Sequence, residues 1–180
     1  MGDIQKESTT FSRTKKNKGL QARPFFYSFI NMKCTKKPLQ NVYQTGREMA
    51  RLVREYWRDL GAWLNVPFCQ FYTHVCALPY IDDPENIETI SRPAYLLELR
   101  YSPRDCDDKA ILCACWWHGH GVKCRFVASS TEPDKQLHHV FLQIAGGLLI
   151  DATFPENSKD IGFYPYFRNL TELKPLTGWF

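Results

Sequence analysis

No stretch of this 180-residue chain stays apolar over the roughly 18 residues that a bilayer-spanning helix needs. The opening MGDIQKESTTFSRTKKNKG lacks the hydrophobic core of a secretion signal. It also misses the myristoylation pattern, because Lys6 stands where serine or threonine is required. A soluble, cytoplasmic protein without membrane contact is therefore expected. C-x-x-C is absent, and so is H-E-x-x-H, which removes the usual redox and zinc signatures. The seven cysteines are odd in number and cannot all pair within the chain, so reduced thiols are expected.

Excess positive charge is confined to the first residues. Residues 1–37 hold nine Lys/Arg against Asp3 and Glu7, whereas residues 38–180 hold fourteen against seventeen acids. The reading that follows is a basic, disordered leader over 1–24 and a single domain over 25–180, with PFFYSFINM (24–32) apolar enough to dock on the body. Such a leader is either a solvated terminus or a weak tether to an anionic surface such as nucleic acid. No stacking-aromatic motif marks a nucleic-acid module.

Hydrophobic periodicity predicts a helix from Thr45 to about Trp63, with Thr45 and Glu48 at capping-box spacing and Arg47, Arg51, Arg54 and Arg58 on its wet face. Pro79, Pro84 and Pro93 make residues 65–93 read as a loop-rich connector. A second helix is expected from Asp105–Cys106 to about His118, stopped by Gly119 or Gly121, with one buried stripe of Ile111, Leu112, Cys115, Trp116 and Gly119. Strands are expected over 122–129, 137–144 and 147–153, the last two joined by an Ala-Gly-Gly turn. The aromatic, proline-broken end shows no clear period.

RDCDDKAILCACWWHGHG (104–121) gathers three cysteines, two histidines and three aspartates. A metal site does not suit it. Cys113 and Cys115, two apart on a helix, point roughly 200° from each other, and His118 and His120 share that fault. Cys106 differs from its neighbours because it opens the helix, where unpaired N–H groups and the helix dipole favour an anion. A thiol there is expected to ionise more easily and act as a nucleophile, with Asp105 capping the helix and the corner amide serving as an oxyanion donor. Cys113, Cys115 and Cys124 read as core residues. Asp107 and Asp108 read as complements to the dipole, and Lys109 as a partner for either carboxylate.

A base and an orienting group are needed as well. His138 and His139 lie in a predicted strand, with Asp151 in the next. A three-residue turn puts His139 on the face of Asp151, whereas a two-residue turn puts His138 there. The turn leaves both open. The neighbours favour His139, which shares a mixed face with Phe141 and Gln143, whereas His138 lies with Val140, Leu142 and Ile144.

The blocks DCDDKA, GVKCRFV, HVF and IDAT, with YIDDPENIETISRP upstream, resemble the transglutaminase-like cysteine-enzyme superfamily, and within it the small phage-encoded and bacterial members. The likeness covers about residues 80–154. Arg104 replaces the family's usual glycine. The resemblance implies an α+β fold of papain-like core, with a nucleophile-bearing helix packed on an antiparallel sheet. It implies Cys106 as nucleophile, His139 as base and acid, Asp151 as orienting residue and Tyr80 as a candidate second oxyanion donor. No metal or cofactor is implied. The activity so implied is that of a cysteine peptidase or amidase on a peptide or protein amide, in host cytoplasm or virion if phage-encoded. Its rivals are a cross-linking transglutaminase and a non-catalytic virion-associated or binding module.

Overall fold

A computed structural model describes residues 35–37, 41–83, 88–98, 104–131, 137–153 and 170–180, all within one unit of the chain, Asn31–Phe180. The basic leader and PFFYSFINM lie outside the described residues, as does the side chain of His138.

The first helix, α1 (Val42–Tyr56), begins three residues before the expected start. Asn41 is its cap, accepting from the N–H groups of Tyr43 and Gln44 at 3.1 Å each. Thr45 is buried instead, and Glu48 turns outward to bind Arg51, at 2.9 Å from its Nε. A 3-10 segment (Trp57–Asn65) follows, kinked at Gly61, where φ is +54°. The connector is not loop-rich throughout. Phe68–Ala77 forms α2, which buries Phe71, Tyr72 and Val75, with Pro67 preceding its first turn. Proline is tolerated there because the first helical N–H groups have no partner within the helix. The short β1 (Thr35–Lys37) pairs antiparallel with β2 (Glu88–Ile90), and α3 (Pro93–Leu97) follows.

The helix headed by Cys106, α4 (Cys106–Gly119), starts and stops where expected, with Asp105 as cap and Gly121 at φ +75° just beyond its end. It does not carry a single buried stripe. Every residue from Asp107 to Trp116 is buried, because α4 is enclosed by α1, α2, α3, the 3-10 segment and the sheet. Cys113, Cys115 and Cys124 are core residues, as read.

The sheet is antiparallel in the order β5-β4-β3-β6, made of Leu149–Ile150, Leu137–Ile144, Cys124–Thr131 and Leu170–Pro175. Strand β6 comes from the tail that showed no period. Phe126, Ala128, Val140 and Leu142 join Ile111, Leu112 and Cys115 in one core. A fully buried leucine or isoleucine contributes about 1.5–3 kcal/mol. The result is an α+β fold with a buried helix on an antiparallel sheet.

Candidate active site

Turn geometry decides between the two histidines. Leu142 pairs with Ile150 and Gln143 with Leu149, so the loop is Ala145–Gly146–Gly147. Gly147 N–H closes it on Ile144 O at 3.1 Å, and both glycines take positive φ, +99° and +91°. An odd loop puts His139, Phe141 and Asp151 on one face. His139 Nε2 is hydrogen-bonded to Asp151 Oδ2.

Asp151 is 3% exposed and held from several sides. Its Oδ1 accepts from Thr153 N–H at 2.7 Å, and its backbone carbonyl accepts from Tyr72 Oη. Lys109, buried in the first half of α4, donates from Nζ to Ala152 O at 3.4 Å and to Cys76 O at 3.3 Å. Lys109 thus ties the chain next to Asp151 to the end of α2. Tyr72 escaped sequence reasoning because its helix was taken for a loop. Nothing in the local pattern of α2 points to Asp151, which is 79 residues away.

Cys106 is partly exposed at the first position of α4. The backbone N–H of Val140, the residue after His139, and the Asp151 charge are both close enough to the Cys106 thiol to act on it. The expectation of an easily ionised thiol is overturned. Burial first, then the Asp105 carboxylate, push Cys106 up to about 12, against the Val140 N–H that favours the anion.

The first turn of α4 leaves one amide open. Asp107 N–H donates to Asp105 Oδ1 at 3.3 Å, Asp108 N–H to Asp107 Oδ1 at 2.8 Å, and Lys109 N–H to Asp105 O at 3.2 Å. Among the described residues, the N–H of Cys106 makes no hydrogen bond. Tyr80 stands nearby with half its surface exposed. Burial, then the charges of Cys106, Asp105 and Asp82, hold its phenol above the ordinary tyrosine range, so it remains a hydrogen-bond donor.

Arg104 stands where the resemblance leads one to expect glycine. It is 1% exposed and donates from Nε to Leu96 O at 2.8 Å and from Nη2 to Glu98 O, closing the end of α3. Asp105, Asp107 and Asp108 bring one oxygen each within 4.8 Å of one another. Such an oxygen set suits a hard divalent cation in kind. It lies, however, at the positive end of α4. Burial first raises Asp107 and Asp108 well above the usual carboxylate range, so this pair favours protons. The two aspartates therefore complement the dipole less by charge than by accepting hydrogen bonds: Asp108 Oδ1 takes Ser91 N–H at 3.2 Å.

No protein-family model matches the chain, and neither curated proteins nor solved structures give a match. Among the described residues no helix is long and apolar enough to cross a membrane.

Proposed function

We propose that the protein is a transglutaminase-like cysteine peptidase or amidase of papain-like core, with Cys106, His139 and Asp151 as its triad. The observation that carries this reading is the hydrogen bond from His139 on β4 to Asp151, with the next amide on β4, that of Val140, close to Cys106 at the head of a buried helix. With Nε2 held by Asp151, proton exchange falls to Nδ1 of His139.

The surroundings of Cys106 favour its protonated form, so proton transfer accompanies attack. His139 Nδ1 takes the Cys106 proton as the sulfur forms its bond to the amide carbonyl carbon. Cys106 N–H and Tyr80 Oη receive the oxyanion. Collapse breaks the C–N bond, and His139 returns the proton to the leaving amine. Water then attacks the thioester and gives its proton to His139. A carboxylic acid leaves, and the thiol recovers its proton.

Incubation with p-nitrophenyl acetate tests this reading. The expected result is one acetyl group on Cys106, located by peptide mass spectrometry, that turns over in water and is lost in Cys106→Ala. Acetylation spread over lysines, and unchanged by Cys106→Ala, would refute it. Faster decay of the adduct with an added primary amine than with water alone would move the assignment to a cross-linking enzyme.

A further inference from the structure

Ile81 and Arg104 form an antiparallel backbone bridge, Ile81 N–H to Arg104 O at 3.2 Å and Arg104 N–H to Ile81 O at 2.9 Å. That register sets Tyr80 opposite Asp105, next to Cys106. The strip Tyr80–Ile81–Asp82 is exposed, with Tyr80 at 49% and Ile81 at 41%. Asp82, Asp105 and Cys106 all lie close enough to the Tyr80 phenol to act on it. The mouth beside the sulfur therefore presents two carboxylates and an aromatic ring. The two cations carried by the segments that build it are buried and turned away: Arg104 donates to Leu96 O and Glu98 O, and Lys109 to Cys76 O and Ala152 O. Asp83 and Glu88 add half-buried acidic groups behind this edge.

We infer that this mouth selects a cationic substrate, a peptide with lysine or arginine beside the amide to be attacked. The inference rests on the catalytic reading above and adds its specificity. An ammonium or guanidinium between Asp82 and Asp105 gains from both charges, and its aliphatic stem or its charge can lie on the Tyr80 ring. Because the carboxylates sit at a partly desolvated rim, the attraction weakens with salt.

Thiol probes of three charges read this directly in the full chain: cationic MTSET, anionic MTSES and neutral MMTS. Each rate at Cys106 is divided by the rate at exposed Cys69 in the same sample. The expected cationic-to-anionic ratio is about tenfold at low salt, falling toward unity at about 0.5 M salt. Asp82→Asn should lower it about threefold, and Tyr80→Phe should lower it less. A lysine-bearing peptide should protect Cys106 at lower concentration than its glutamate twin. Equal normalised rates for all three probes would overturn the inference alone. Inert Cys106 beside reactive Cys69, even toward MMTS, would overturn the catalytic reading with it.

Discussion

At the residue scale, Cys106 is subject to opposed influences. The helix start and the Val140 N–H favour the anion, while burial and Asp105 favour the thiol and prevail, holding it up at about 12. Alkylation of Cys106 by iodoacetamide should therefore keep accelerating from pH 7 to pH 10, followed by site-resolved mass spectrometry. A plateau already reached at pH 7 would mean a preformed thiolate–imidazolium pair and would contradict the favoured protonated form. This direction could not be read from the sequence. The sequence shows where Cys106 sits on its helix, which gives the favourable dipole. It does not show that the strand, Asp105 and Asp151 close around the sulfur. The identity of the base was nearer to hand: side-chain parity narrowed it to two histidines, and only the length of the glycine turn remained to be fixed.

At the element scale, helix ends depend on caps, and caps were read unevenly. Asp105 is legible as a cap because it stands at the head of a charged first turn that leads into the apolar run 110–117, whereas the spacing of Thr45 and Glu48 points to Thr45 rather than Asn41, and the core takes Thr45 instead. Prolines hide α2, since Pro79 looks like a breaker in a linear reading although it lies beyond the helical turns. Close packing gives a sharp test on α1. A Cβ at Gly46 would meet the Leu176 Cβ at 2.7 Å. Gly46→Ala should thus destabilise by about 1–3 kcal/mol in urea unfolding, although alanine in an open helix would stabilise by up to about 1 kcal/mol. A stabilised variant would show that the contact between α1 and the chain after β6 is loose. Arg104→Met keeps the bulk but strips two carbonyls of their donor. It should cost about 2–4 kcal/mol by the same measurement, and a neutral result would mean that the α3 carbonyls find other donors.

On the scale of the whole molecule, the buried carboxyls make stability depend on pH in an uncommon direction. Burial raises Asp83 to about 6 and Asp107 and Asp108 well above the usual range. Acids with raised pKa bind more protons folded than unfolded. Their contribution is complete below about pH 4 and is lost as pH rises through the folded values. His74 and His118, lowered chiefly by burial, act the other way below about pH 6.5, but both are only partly buried. Asp107→Asn removes one buried charge and offers an amide to Asp105 and Glu88. It should raise the Tm at pH 8 and flatten the slope between pH 5.5 and 8 in thermal unfolding. An unchanged slope would place the pH dependence elsewhere. The α+β class and the antiparallel hairpin were readable because strand alternation and the glycine turn are local signals. Enclosure of α4 on all sides is not, because part of it comes from α2 and α3, which carry no strong period.

The measurement that bears most directly on the catalytic reading is the rate of iodoacetamide alkylation at Cys106, resolved by peptide mass spectrometry, in the native chain and in His139→Ala, Asp151→Asn and His138→Ala. A positioned base contributes about a hundredfold or more to proton transfer. His139→Ala should slow Cys106 by about that factor and Asp151→Asn by less, while His138→Ala and the rate at exposed Cys69 stay close to native. A Cys106 rate indifferent to His139, or one that falls with His138 instead, would contradict the account.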